Sequence, residues 1–294
     1  MMEGDAAEKP DGVAFLLLLP TVILLLALFV GPVLYAFYLG LTNIALMGPT
    51  ARHFHFTGMS NLHRLVHDSL FWKSLKLTAI FVAASAIVGV TVVGMALAVL
   101  IQHAVAWLRA AVGAIVVVAW MLPPLTAALI WYAFSTTGGT LSLLGGSQAD
   151  VLNTFPMFVV CLANIWATAG FSMLVLSAGL RSVPTEVLEA GRMEGASRWR
   201  VFWSLTIPII QPTIVTNILL VTLLSLANFS LIYIMTGGGP GNATNILPIY
   251  SYQQALVFGK LGYGALLGDV VVIIATIFAY LYVRVSRATR VAAA

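Results

Sequence analysis

The sequence predicts an all-α membrane protein with about six transmembrane helices, and three observations carry that prediction. Only 8% of the 294 residues are charged, against roughly a quarter in a soluble domain, so charge is too sparse to cover a water-facing surface. Hydrophobic residues make up 61% and the mean hydropathy is +1.01, which points to hydrocarbon as the natural solvent and excludes a soluble enzyme. The apolar residues also gather into six runs, near 13–41, 75–101, 110–134, 155–180, 213–235 and 263–285, each close to or above the roughly 20 residues a spanning helix needs. Inside a bilayer every backbone amide must pair within its own segment, which makes these runs helices; barrel strands of about ten residues with alternating polarity are not seen.

From the N-terminus, residues 1–12 read as a tail. Glu3, Asp5 and Glu8 stand against Lys9 alone, unlike the basic start of a signal peptide, and the run that follows is too long for a signal-peptide core, so a retained first helix is expected. Residues 42–74 form a long connection with a short helix expected around 61–74. The third run contains Pro123-Pro124, which breaks it as a kink or a hinge. Residues 135–154 are rich in Gly and Ser. Residues 237–262 open with Gly237-Gly238-Gly239-Pro240-Gly241, a strong helix breaker. The transmembrane domain therefore covers 13–285, and 286–294 form a C-terminal tail.

An even number of spans puts both termini on one side. That side holds nine basic residues, Lys9, Arg109, Arg181, Arg192, Arg198, Arg200, Arg284, Arg287 and Arg290; the other holds five, Arg52, Arg64, Lys73, Lys76 and Lys260. Basic excess marks the cytoplasmic face, so both termini and loop 181–211 are expected in the cytoplasm. The same topology explains the net charge of +4 without a nucleic-acid partner. Cys161, the single cysteine, allows neither an intrachain disulfide nor a cysteine metal site.

Loop 181–211 reads as a short amphipathic helix outside the membrane. Pro184 suits a first helical turn, Glu186 and Glu189 lie near the positive end of its dipole, and Gly195 is a natural stop. Val187, Leu188 and Met193 are apolar among charges, and Trp199, Phe202 and Trp203 follow before Pro208 and Pro212. From physics alone this is either a helix resting on lipid headgroups or a helix that docks on another protein.

Glu189-Ala190-Gly191, three residues, Gly195, nine residues and Leu205-Thr206-Ile207-Pro208 resemble the E-A-A, three residues, G, nine residues, I-x-L-P loop of permease subunits in bacterial ABC importers. Gly191 in place of the second alanine is the main departure, since glycine weakens a helix by up to about 1 kcal/mol. Phe56-Thr57-Gly58-Met59-Ser60-Asn61-Leu62, Met121-Leu122-Pro123-Pro124-Leu125 with Trp131, and Thr236-Gly237-Gly238-Gly239-Pro240-Gly241-Asn242-Ala243-Thr244 are similar to stretches of the carbohydrate-uptake permeases, of the maltose-F-like and glycerol-3-phosphate-A-like type. Tyr250, Gln253 and Gly262-Tyr263 extend the resemblance over nearly the whole chain.

The resemblance implies a type I ABC importer permease fold, multi-pass in the bacterial cytoplasmic membrane. It implies that Glu186, Glu189, Ala190, Gly191, Gly195, Ala196 and Pro208 couple this chain to an ATPase. It also implies a second homologous permease making a heterodimer, two ATPase subunits and an external solute-binding protein. ATP and Mg would bind on the ATPase subunits. This chain has no G-x-x-x-x-G-K-[ST] phosphate loop, so neither catalysis nor a cofactor is expected on it. The implied cargo is a disaccharide or oligosaccharide, with glycerol-phosphate-type solutes the alternative. A phosphate would favour an intramembrane Arg or Lys, and the runs contain almost none.

Polar residues inside spans are costly and commonly functional. Asn164 and Trp166 in the fourth run, with Asn228, Ser230 and Tyr233 in the fifth, offer the amides, hydroxyls and aromatic faces a sugar site needs; the alternative for each is interhelical contact. Asp269 reads as a structural partner of the second permease or as lining a cavity. His53, His55, His63 and His67 gather in 42–74, and His63 and His67 have the spacing of a zinc pair. Beyond Asp68 nothing completes a ligand set, so no metal is expected. All five histidines lie in loops or at span ends, which leaves no constellation for an intramembrane enzyme. A secondary transporter would show inverted repeats and midplane coupling groups, and only Asp269 is available.

Overall fold

The computed structural model describes residues 12–144 and 150–292. Residues 1–11 of the expected N-terminal tail and the middle of the 135–154 connection fall outside the described residues, as do the side chains of the C-terminal tail. The described chain is helical throughout its regular structure, apart from one antiparallel bridge between Thr42 and Phe56.

Helix α1 occupies Leu17–Gly40. Its Leu-rich sequence lacks a polar face, and none of its most apolar window is buried within the chain, as suits a helix surrounded by lipid. Helix α2 (Ser60–His67) is fastened beneath its end by Asn61, whose Nδ2 donates to the carbonyls of Gly40 and Thr42 at 2.8 Å each. Asp68 then starts α3 (Ser69–His103), accepting the Leu70 N–H at 2.9 Å as an N-cap. The single helix expected around 61–74 is therefore two, because Asp68 is extended (φ −83°, ψ 106°); the second belongs to the span itself.

The third apolar run forms α4 (Ala106–Met121) and α5 (Pro124–Ser135). Pro124 lacks an N–H and disfavours helical backbone at Pro123, where ψ is 140°, and the two helices meet at 103°. Next come α6 (Pro156–Arg181), α7 (Thr185–Met193), α8 (Arg198–Ile209) and α9 (Gln211–Ala227), with a 70° bend between α8 and α9. The fifth run, expected as one span over 213–235, is interrupted at Asn228 and resumes as α10 (Phe229–Thr236). Helices α11 (Leu247–Tyr252) and α12 (Leu261–Ala292) complete the chain. Among the described residues four helices are long and apolar enough to cross a membrane, and up to six spans result when each bent pair is one span.

Helix α6 is the hub, with 61% of its apolar window buried against α3, α4 and α9. Small residues permit the approach: Gly94 on α3 faces Ser172, and at Gly170 a Cβ would stand 2.5 Å from the Val116 carbonyl oxygen. In lipid, where apolar contact alone gives no preference for protein over solvent, such backbone proximity is what holds helices together. Helix α10 packs on α5, and α12 packs on α9, α11 and the second half of α1. Helices α5 and α10, each the C-terminal part of an interrupted apolar run, thus lie side by side.

Candidate functional site

Asn164 sits on α6 with no exposed surface. Its amide donates to Ser85 Oγ at 3.0 Å and to Ser225 Oγ at 2.9 Å, and its Oδ1 accepts from Asn228 Nδ2 at 3.1 Å. Both of its amide protons are thereby engaged, and α3, α6, α9 and the α9–α10 break converge on one side chain. Ser85 lies in a π-helical stretch of α3, Val82–Val90, a wide-turn form that recurs at functional sites. Nearer the other end of α9, Asn217 donates to Thr91 Oγ1 at 3.3 Å.

Asn228 is half-buried at the break, and the residues after it supply aromatic faces. Phe229 stacks on Tyr233 with centroids 5.1 Å apart and planes at 19°. Tyr252 of α11 stands 5.0 Å from Phe229 and 4.9 Å from Tyr233. Beside them an open depression of about 370 Å³ is lined by Ala227, Phe229, Pro248, Ser251, Tyr252 and Gly268. Of the residues singled out from the sequence, Asn164 and Asn228 are bonded to each other, Tyr233 joins the aromatic group, and Ser230 is exposed. Trp166 packs edge-on to Trp131 at 6.3 Å. Phe229 and Tyr252 were not legible as members, Tyr252 because it falls in what the sequence presents as a connection.

Asp269 is 4% exposed. It lies against α1, where a Cβ at Gly40 would stand 2.8 Å from its Oδ2. The missing side chain of Gly40 leaves room for this carboxyl beside α1. Asp68, read from sequence only as a stray metal ligand, organises the end of the 42–74 loop. It accepts the hydroxyls of Tyr250 and Tyr263 at 2.5 and 2.6 Å, and the Arg64 guanidinium lies 4.1 Å over the Tyr263 ring. Burial opposes the Asp68 charge, but those hydroxyls and the N–H groups of Leu70 and Phe71 outweigh it and hold the carboxyl below its usual pKa. His63 and His67 rings are 4.4 Å apart, with His67 Nδ1 on the His63 carbonyl at 2.8 Å; among the described residues no His, Cys, Asp and Glu gather in a metal-binding group of three.

Helix α7 begins one residue beyond Pro184, which caps it in extended conformation, and ends in a Schellman motif. Gly195 N–H bonds the Arg192 carbonyl at 3.0 Å and Ala196 N–H bonds the Gly191 carbonyl at 3.1 Å, with Gly195 at φ +79°. Gly191 is buried against α8: a Cβ there would stand 2.7 Å from Leu205 Cδ1 and 3.5 Å from Val201 Cγ2. The departure from the E-A-A pattern therefore permits close contact between α7 and α8. Glu186, Glu189, Ala190 and Met193, at helical spacing, are all exposed, so one face of α7 is free while Gly191 is locked down. Pro208 is exposed near the end of α8, and Ala196 is half-buried.

A helical membrane chain with interrupted spans and a short exposed helix carried between α6 and α8 has the fold of the type I ABC importer permeases. A chain of a bacterial ABC transporter involved in the import of the acidic polysaccharide alginate superposes with a TM-score of 0.75 at 22% identity, covering 95% of this chain and 96% of that one. A second structure, of bacterial alginate ABC transporter in complex with an alginate pentasaccharide-bound periplasmic protein, gives 0.72 at 22% identity, covering 95% of each chain. The chain belongs to the family described as binding-protein-dependent transport system inner membrane component, which it matches over residues 90–291. It is a multi-pass inner-membrane transport subunit. It is 29% identical to the trehalose/maltose transport system permease protein MalF of Thermococcus litoralis over 94% of each chain. It is 30% identical to the sulfoquinovosyl glycerol transport system permease protein SmoG of Agrobacterium fabrum, over 93% of this chain and 90% of that protein.

Proposed function

We propose that this chain is the permease subunit of a sugar importer, moving a disaccharide or oligosaccharide inward while separate ATPase subunits hydrolyse ATP. The observation that carries the reading is the α7 loop, with Glu186, Glu189 and Ala190 exposed on one face and Gly191 buried on the other. Both termini and this loop lie in the cytoplasm, where α7 seats in a cleft on one of two ATPase subunits. A second, related permease completes the translocation path, and an external solute-binding protein delivers the cargo, as the alginate transporter complex illustrates for its own polysaccharide.

The route of force follows the packing. α7 is held to α8 through Gly191, Val201 and Leu205, α8 bends into α9, and α9 ends at Asn228. Closure of the ATPase pair moves this unit as a rigid body and shifts Asn228 with its aromatic neighbours between outward-open and inward-open arrangements. Asn228 and Ser230 supply hydrogen bonds to the sugar, and Tyr233 with Phe229 and Tyr252 supplies apolar faces. Trp166 stands farther along the same path, and Asn164 holds Asn228 in place. The near absence of Lys and Arg within the spans favours a neutral sugar over a phosphorylated solute.

The test is reconstitution of the complex recovered from its own membrane, with uptake of a panel of labelled disaccharides, oligosaccharides and glycerol phosphates. Asn228→Ala should abolish uptake while the subunits still co-purify, and Glu189→Lys should disrupt ATPase attachment or stimulation. Normal coupling in Glu189→Lys would refute the docking role; transport by the isolated chain would refute the importer reading.

A further inference from the structure

A cavity of about 320 Å³ opens where α3, α6, α7 and α8 end together, a volume at the low end of ligand pockets, roughly 300–1,000 Å³. Its floor is apolar, with Val99, Leu180, Val183 and Leu188 among its lining, and its polar lining includes Arg192, Arg198 and His103 with no acidic residue. Both arginines are exposed, and Trp199, 71% exposed, stands at the mouth. His103 also borders a second, apolar groove of about 390 Å³ between α3 and α4, lined by Leu97, Leu100, Leu108 and Val112. The two spaces therefore meet at His103: cations gather on one side, and a hydrocarbon-facing furrow runs along the spans on the other.

We infer that this pair of spaces binds one anionic phospholipid of the cytoplasmic leaflet, headgroup phosphate at Arg192 and Arg198 and an acyl chain in the Leu97–Val112 groove. Basic pockets between helices at the membrane surface take anionic headgroups by charge, and their neighbouring apolar surface takes the tail. Trp199, exposed beside the arginines, is an amphipathic ring of the kind that settles at headgroup depth. A free anion would use the arginines but not the groove; a neutral lipid would use the groove but not the arginines. Because Arg192 lies in the last turn of α7, the bound lipid braces the helix proposed to dock on the ATPase. The inference rests on the cytoplasmic placement of that loop.

The test is native mass spectrometry of the full-length chain with its co-purifying subunits, titrated in mild detergent with phosphatidylglycerol and separately with phosphatidylcholine. One phosphatidylglycerol should be retained selectively. The Arg192→Gln/Arg198→Gln pair should weaken its binding about 30-fold, the effect expected of two interfacial cations, and leave phosphatidylcholine unaffected. Leu100→Trp, which fills the groove and leaves every charge in place, should weaken it as well, whereas Arg200→Gln, outside the cavity lining, should not. Unchanged retention in both the double-arginine variant and Leu100→Trp would overturn the inference. Competition by inorganic phosphate together with indifference to Leu100→Trp would also overturn it, revealing a free-anion site. The same spectra report whether ATPase subunits stay attached, so failure of the docking reading is read separately from failure of lipid binding.

Discussion

Replacing Asn164 with leucine removes the junction of three helices while roughly preserving volume. Three hydrogen bonds disappear, to Ser85 and Ser225 at 3.0 and 2.9 Å and from Asn228 at 3.1 Å. At about 0.6 kcal/mol for an average interhelical bond within a bilayer, the loss totals about 2 kcal/mol. Alanine at the same fully buried position adds a cavity and should be worse. Reversible unfolding in bicelles measures both variants. A loss below about 0.5 kcal/mol in each, less than one average bond, would refute the account of Asn164 as a structural junction. Transport separates the roles further. The amide protons of Asn164 are already donated and its Oδ1 only positions Asn228, so uptake per folded Asn164→Leu molecule should fall but persist, while Asn228→Ala should lose uptake at full assembly. A well-folded Asn164→Leu chain with no uptake would also refute the division of labour between the two.

Other substitutions probe the end of α7 and the loop held by Asp68. Gly195→Ala places a β-carbon at φ +79° with no atom within 4 Å, so backbone strain alone should weaken the α7 terminus by about 1 kcal/mol, seen as faster local hydrogen exchange. Gly191→Ala meets only the tip of Leu205 and gains helix propensity of up to about 1 kcal/mol, so it should couple nearly normally, whereas Gly191→Leu should part α7 from α8 and lower transport-stimulated ATP hydrolysis at least several-fold. Asp68→Asn should destabilise this loop by about 1.5–3 kcal/mol through lost charge-assisted hydrogen bonds, measured by proteolysis of residues 42–74. Since the Asp68 pKa is lowered in the folded chain, its stabilising effect is present above the unfolded carboxylate value of 3.8. That effect is lost as pH falls through the lower folded value, and Asp68→Asn should abolish this dependence.

The parts of the fold that follow from solvent were readable from composition. Six apolar runs need no tertiary partner to be recognised, because the bilayer itself demands their length. Pro123-Pro124 announced its break through the missing N–H of Pro124. The break at Asn228 carried no such punctuation: neither Gly nor Pro stands there, and its side chain is anchored across the bundle by Asn164. Loop 181–211 was legible down to its stop at Gly195, since a Schellman ending leaves a glycine at a known offset. Asp68 was not legible as a capping and clamping residue, because the tyrosines that hold it lie 182 and 195 positions away. The packing of Asp269 was not legible for the opposite reason. Its partner is the absence of a side chain at Gly40, and a sequence scan for charges does not register an absence.

Helix α1 buries none of its most apolar window in this chain, while α10 has only 8 residues, far short of the roughly 20 that cross a bilayer. Those two facts divide the chain's biogenesis. α1 can leave the translocon and partition into lipid unaided. α10 can settle only once α5 is present to receive it, and Asn228 only once Asn164 is within reach. Synthesis from the N-terminus presents α5 and α6 before α9 and α10, so each late, incomplete segment arrives to find its partner waiting in the membrane.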